Sequence, residues 1–186
     1  YGDLVVKTGQ RLISSYRLPQ PRIIDASAAN ATTSLETLLA TQDIDAVFMP
    51  VAPQQAAQLA NIVKTSSKPN TLILGTGLWE ENTTATYPSL SNAYYAGLGV
   101  ATHQQFENNY RRNFGRSPDT VASLAYDAVS LVASLNTKGQ RPTVQNLTSS
   151  AGFNGVDGFF RLRSDGLVDR TLSVIQIQNG NKVIIE

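Results

Sequence analysis

Few side chains in this sequence could do chemistry. His103 is the only histidine and cysteine is absent, which excludes disulfides, thiolate zinc sites and cysteine nucleophiles. A Ser-His-Asp triad would have to run through His103, and a zinc site normally needs more than one imidazole. His103 stands beside Thr102, where a strand pattern hands over to a helix, and it reads as a solvated helix-start residue. The closest acidic groupings are Glu80-Glu81 and Asp165 with Asp169. Glycosidase chemistry needs two carboxylates at a set separation across a cleft, whereas the adjacent Glu80 and Glu81 diverge and read as a solvated loop. Gly75-Thr76-Gly77 follows a strand pattern as a phosphate loop would. It lacks the third glycine of a dinucleotide fingerprint and the lysine of a P-loop. No catalytic residue, metal ligand or cofactor is expected.

The place of Gly75–Gly77 says more than its pattern. In open parallel sheets, ligands bind beyond the carboxyl ends of the strands. Two loops fall there, Pro50-Val51-Ala52-Pro53 and Thr76-Gly77-Leu78-Trp79. Trp79, the single tryptophan, either lines a ligand cleft or plugs a core, and the sequence leaves both readings open.

The elements that position these loops follow from periodicity. Leu4, Val5, Leu12 and Ile13 share one face of a helix from about Asp3 to Tyr16. Arg22–Asp25 is a short strand candidate, and Thr33-Ser34-Leu35-Glu36 reads as a capping box opening a helix that ends near Gln42. Asp45–Pro50 reads as a strand apolar on both faces. Pro53 starts a helix with the stripe Ala56, Leu59, Ala60 and Val63. Strands are expected at Thr71–Leu74 and Ala93–Gly97. Such alternation of strand and helix indicates a parallel sheet with right-handed crossovers.

The middle is helical. Phe106, Tyr110 and Phe114 recur every four residues, and Val121, Leu124, Ala125, Ala128, Leu131, Val132 and Leu135 trace an apolar stripe from Asp119 to Leu135. A shorter helix is expected over Thr143–Ser149. Gly158–Leu162 and Leu172–Ile177 read as strands, with a turn at Ser164-Asp165-Gly166 between them. Asn179-Gly180 is a hairpin turn into Lys182–Ile185.

At 186 residues, 41% hydrophobic and 16% charged, the chain has the composition of a globular domain. The net charge of +1 gives no pull toward nucleic acid, and the Phe106/Tyr110/Phe114 spacing fits core packing rather than base stacking. No apolar run reaches the roughly 18 residues of a membrane span. No signal peptide is visible and the sequence starts at Tyr1, so removal of an N-terminal portion is expected. The sequons at Asn30, Asn82 and Asn146 matter only in a eukaryotic secretory protein.

Four pieces, in order, resemble the Leu/Ile/Val-binding branch of type I periplasmic binding proteins. They are Tyr1-Gly2 opening a helix; Ile44–Phe48 followed by Pro53-Gln54-Gln55; Phe106, Tyr110, Phe114-Gly115, Pro118 and Ala125–Val129; and Gly155–Phe160 with Asp165-Gly166 and the final hairpin. Gly75–Trp79 and Gly152–Gly158 are similar to the offshoot known as penicillin-binding protein activators. The resemblance implies an open parallel sheet flanked by helices, extra helices from the other lobe and a C-terminal β-hairpin. Residues 1–101 would form the second-lobe α/β unit, 102–150 helices belonging to the first lobe, and 151–186 the crossover and closing strands. The first-lobe sheet, carried by sequence before Tyr1, would be absent. The helices of 102–150 are then expected to pair with a second copy or dock on a separate N-terminal fragment.

The same resemblance implies a non-catalytic periplasmic receptor that captures a small solute, such as an amino acid, for an ABC permease. The offshoot implies instead an envelope lipoprotein, anchored through a removed N-terminal segment, that contacts a murein synthase. In amino-acid-binding members this lobe offers an aromatic at the Tyr1 position, an aromatic in the loop at Val51-Ala52 and a carboxylate at Thr76. Here Tyr1 is kept, and the other two are not. A ligand ammonium prefers a charged acceptor, which Glu80 or Glu81 would have to supply. The candidate ligand-binding residues are Tyr1, Val51, Ala52, Thr76, Gly77, Trp79 and Glu80.

Overall fold

A computed structural model describes the chain apart from residues 82, 99, 120 and 186 and the side chains of Val100 and Ala101; the sequon at Asn82 lies outside the described residues. In chain order the elements are α1 (Gly2–Ser15), α2 (Ala31–Thr41), β1 (Ala46–Phe48), α3 (Pro53–Thr65), β2 (Leu72–Gly75) and β3 (Tyr94–Gly97). There follow α4 (Val100–Phe114), α5 (Ala122–Thr137), α6 (Val144–Leu147), β4 (Phe153–Gly155), β5 (Gly158–Leu162), β6 (Val168–Arg170), β7 (Ser173–Gln178) and β8 (Asn181–Ile184). Three short 3-10 turns, Gly77–Glu80, Thr84–Thr86 and Pro88–Leu90, lie between β2 and β3. The chain divides into two compact units, one of Tyr1–Gly97 with Val174–Ile185 and one of Leu98–Ser173. Among the described residues, no helix is long and apolar enough to cross a membrane.

The first unit is built on a five-stranded, mostly parallel sheet in the order β1-β2-β3-β7-β8. β1 and β2 run parallel with Val47 opposite Ile73, and β2 and β3 run parallel with Gly75 opposite Tyr95. β7 and β8 close it as an antiparallel hairpin, Gln178 opposite Asn181. Asn179 and Gly180 both have positive φ, 50° and 77°, the backbone that a tight two-residue hairpin turn requires. The buried face carries Ile73, Tyr95, Ile175 and Ile177, and α3 contributes Ala56, Ala60 and Val63 to the core. Pro53 is at the first turn of α3, where its missing N–H leaves nothing unpaired.

Three local expectations fail for physical reasons. Residues 22–25 form no strand; Asp25 instead accepts hydrogen bonds from the Ser27 N–H and hydroxyl, folding the chain into a turn. The Thr33/Glu36 capping box does not form, because α2 starts earlier, at Ala31 after Asn30. Thr33 is thus inside the helix, its carbonyl accepting from the Thr37 hydroxyl. β1 is an edge strand rather than one buried on both sides, and Phe48 is 48% exposed.

The second unit joins α4, α5 and α6 to a separate antiparallel sheet, β4-β5-β6. Leu131, Leu135 and Phe160 are its apolar centre, with Leu147, Phe153 and Leu162 packed around them. Phe106, Tyr110 and Phe114 make a ladder of ring contacts along α4, but Phe114 at its end is 64% exposed. α5 is turned differently from its apolar stripe. Its buried positions are Ser123, Asp127, Leu131 and Leu135, while Val121, Leu124 and Val132 stay exposed. At 100° per residue, the buried line is rotated by about a quarter turn from the stripe.

Candidate functional site

At the carboxyl ends of β1 and β2, the two loops singled out in the sequence meet. The Met49 N–H donates to Leu74 O at 2.7 Å, extending the β1–β2 pairing one residue past the end of β1. Beyond it, Trp79 Nε1–H donates to Val51 O at 3.1 Å and ties one loop to the other. The indole is fully buried. It lies so close over Gly75 that a Cβ there would stand 2.3 Å from the ring. Of the two readings of Trp79, the structure favours the plug, since the ring keeps no exposed surface for a solute.

Glu80 is placed by the same device one strand further on. A Cβ on Gly97 would stand 2.1 Å from Glu80 Oε1 and 2.6 Å from Ile175 Cδ1, so glycine at the end of β3 seats the carboxylate. Tyr95 OH donates to Glu80 Oε2 at 3.4 Å, and Lys182 Nζ lies 3.7 Å from the same oxygen while donating to Glu80 O at 2.6 Å. Burial, and then the Glu80 charge, push the Tyr95 phenol far above its ordinary range. Glu80 is therefore committed to an internal network with Tyr95 and Lys182.

What the strand ends offer is neutral. Thr76 is nearly buried, its Oγ1 accepting weakly from Leu78 N–H at 3.4 Å. Ala52 and Gly77 are exposed and Val51 is half-buried. Such a surface supplies backbone groups, small apolar contacts and one hydroxyl. Tyr1 stands outside this network, 66% exposed at the head of α1, its carbonyl accepting from Val5 N–H. Two shallow surface hollows lie elsewhere, one along α1 beside Lys7 and Arg11, one beside Arg161, Arg163, Asp165 and Asp169. In the second, Arg161 pairs with Asp169 and Arg163 with Asp165 and Asp169. Among the described residues, no cluster of three or more His, Asp or Glu side chains could hold a metal ion.

The second unit holds a buried polar cluster, and it amends the reading of His103: the residue stands in the first turn of α4 as expected and its side chain is 31% exposed, but its ring is engaged by a buried partner. His103 Nδ1 lies 2.6 Å from Oδ1 of Asp157, which is fully buried in the β4–β5 turn. Asp127 of α5 accepts from Val156 N–H at 2.8 Å, and a Cβ on Gly155 would stand 2.2 Å from its Oδ2. Arg170 of β6 lies over the Phe160 ring, 3.7 Å from Asp127 Oδ2 and 4.0 Å from Asp157 Oδ2. Burial pushes the Asp157 carboxyl up, but hydrogen bonds from His103 and Ser123, with the charges of His103 and Arg170, outweigh it and hold the group below the usual carboxylate value. Ser123 and Asp127, polar positions on the line that continues through Leu131 and Leu135, are the sequence signal that could have found this cluster.

A pH dependence follows with a defined sign. A carboxyl held below its unfolded value stabilises the folded unit above that value, and the contribution is lost as pH falls through the folded one. Acid unfolding of the second unit, followed by circular dichroism, is expected to become shallower in Asp157→Asn below about pH 4. An acid limb identical to that of the parent protein would contradict the assignment.

An open, mostly parallel sheet flanked by helices and closed by a β-hairpin is the fold of type I periplasmic binding proteins. Within that class, the chain is similar to a Rhodospirillum rubrum protein provisionally assigned as a branched-chain amino acid ABC transporter, at 17% identity and a TM-score of 0.70 over 90% of this chain and 50% of that one. It is similar to the branched-chain amino acid transporter substrate-binding protein LivJ of Streptococcus pneumoniae, solved with isoleucine, at 23% identity and a TM-score of 0.57 over 85% of this chain and 47% of that one. It is similar also to the C-domain of LpoA from Haemophilus influenzae, a regulator of PBP1A, at 14% identity and a TM-score of 0.54 over 83% of this chain and 49% of that one. The chain spans about half the length of these proteins. No family model and no curated protein matches the sequence.

Proposed function

We propose that the chain is part of a non-catalytic solute-binding receptor outside the cytoplasm, with the β1 and β2 strand-end loops forming its share of the ligand cleft and an ABC permease as its partner. The observation that carries this reading is the neutral rim of Val51, Ala52, Thr76 and Gly77 at the carboxyl edge of a parallel sheet, in a fold also seen in solute receptors. Tyr1 is retained in the reading as an exposed aromatic available to a solute. Glu80 is not, since Lys182 and Tyr95 already engage it.

The neutral rim supports one ligand class over another. With no free carboxylate among these residues, the lobe has little to offer an ammonium group, and a solute held through apolar and hydrogen-bonding contacts fits better. Calorimetry on the full-length gene product is expected to show no binding of Leu, Ile or Val in the micromolar range, where the free energy would be about −8 kcal/mol. A saturable heat at that level would sink the ligand class and keep the receptor. Mass spectrometry of solutes released on denaturing the protein tests the receptor itself.

The second reading is a regulator that contacts a murein synthase, supported by the likeness to the LpoA C-domain and by the sealing of the strand-end loops by Trp79. It expects no co-purifying solute and capture of the synthase by the full-length protein.

A further inference from the structure

We propose that His103 is a proton-operated clasp, whose charge state sets how firmly the second unit holds the two segments by which the chain enters and leaves it. The chain enters this unit at Leu98 and leaves it at Ser173. His103 stands just after the entry and Arg170 just before the exit, and both face Asp157. One buried carboxylate is thus hydrogen-bonded to the entry segment and attracted through charge, at 4.0 Å and without a hydrogen bond, to Arg170 of the exit segment, while Asp127 lies 3.7 Å from the same Arg170 and fixes the turn that carries Asp157.

The charges around the imidazole decide what its proton does. From α4, Glu107 Oε1 lies 3.7 Å from Nε2 and Glu107 also pairs with Arg111. From the β4–β5 turn comes Asp157, from α5 Ser123 and Asp127, and from β6 Arg170. Among the described residues of these pairs, with a neutral imidazole, the carboxylates of Glu107, Asp127 and Asp157 outnumber the guanidinium groups of Arg111 and Arg170 by one. The imidazolium cancels that excess where burial makes it costly.

The sign follows. A folded state that favours the imidazolium binds the proton more tightly than the unfolded chain, whose histidine titrates near 6.5. The added stability is fully present below that value and is lost as pH rises through the folded-state titration. The interactions loosened are those at entry and exit, so α4 and β6 should open together.

His103 is the only histidine, so a transition between about pH 5.5 and pH 8 has one candidate side chain. The experiment is amide hydrogen exchange on the 186-residue chain, corrected for intrinsic rates, at both ends of that window. Protection in α4 and β6 is expected to fall by about tenfold, the equivalent of one pKa unit, and to stay flat in His103→Gln. The same fall in His103→Gln, or none in the parent chain, overturns the proposal. Should His103→Gln fail to fold, NMR titration of the lone imidazole in the parent chain decides. A midpoint coinciding with the loss of protection upholds the clasp, and loss of protection without imidazole titration refutes it.

Discussion

Trp79→Ala is expected to cost the first unit about 3–5 kcal/mol, the range for truncating a large core aromatic. The indole has no exposed surface, rests on Gly75 and donates its N–H to Val51 O. Truncation opens a cavity beneath the strand ends and leaves the Val51 carbonyl without its donor. Against a typical total of about 5–15 kcal/mol, such a loss would unfold a large fraction of molecules near physiological temperature. Trp79→Phe separates the two contributions, retaining most of the volume while removing the donor, and is expected to lose about 1–3 kcal/mol. Urea unfolding followed by far-ultraviolet circular dichroism measures both. A Trp79→Ala variant within about 1 kcal/mol of the parent would mean that the indole is not the plug described.

The second large effect concerns association. On α5 and its approach, Val121, Leu124, Tyr126, Val129 and Val132 are between 46% and 71% exposed. Covering such side chains gains about 1.5–3 kcal/mol each, and exposed apolar side chains in this number favour association. The purified chain is therefore expected to sediment as a dimer or larger species at micromolar concentration. Val121→Glu with Val129→Glu should return it to a monomer without changing its helix content, because neither side chain belongs to the buried line. A monodisperse parent chain would show that this face finds cover within the molecule.

The α5 result shows where the sequence stops being legible. The period of 3.6 was plain, and so was the apolar stripe, yet of that stripe the helix buries only Leu131 and Leu135, on a line with the polar Ser123 and Asp127. On that line Asp127 accepts from Val156 N–H and lies 3.7 Å from Arg170. Those partners lie far along the chain and leave no mark on local periodicity. The engagement of His103 was missed for the same reason, since its partner Asp157 is 54 positions away. Residues 22–25 had strand composition but find no neighbour to pair with, and a strand is defined by its neighbour.

Where the determinants are local, they could be read directly. Pro53 started α3, and Asn179-Gly180 turned the closing hairpin. β2 and β3 were placed to within a residue or two by their apolar runs and terminal glycines. In the candidate site, the loops were legible from topology, because strand carboxyl ends collect at one edge of a parallel sheet. The roles within them were not. That Glu80 is engaged by Lys182 and Tyr95 depends on a lysine in the last strand.

The glycine seats at the ends of β2 and β3 make mutational tolerance here run opposite to side-chain size. At most positions, the smaller the replacement, the larger the void it leaves. At Gly75 and Gly97 the least addition possible, one methyl group, would stand 2.3 Å from the Trp79 ring or 2.1 Å from Glu80 Oε1. At Gly75 the neighbour is a buried ring that must be evicted, whereas at Gly97 it is the far end of the Glu80 side chain, which can swing aside. In a saturation-mutagenesis map, position 75 should reject alanine almost as strongly as leucine and position 97 should be less strict, while the exposed Ala96 of β3 accepts both. Gly75→Ala is then a lever on the site: by unseating the indole from below, it would force open the loop pair that the Trp79–Val51 hydrogen bond holds shut.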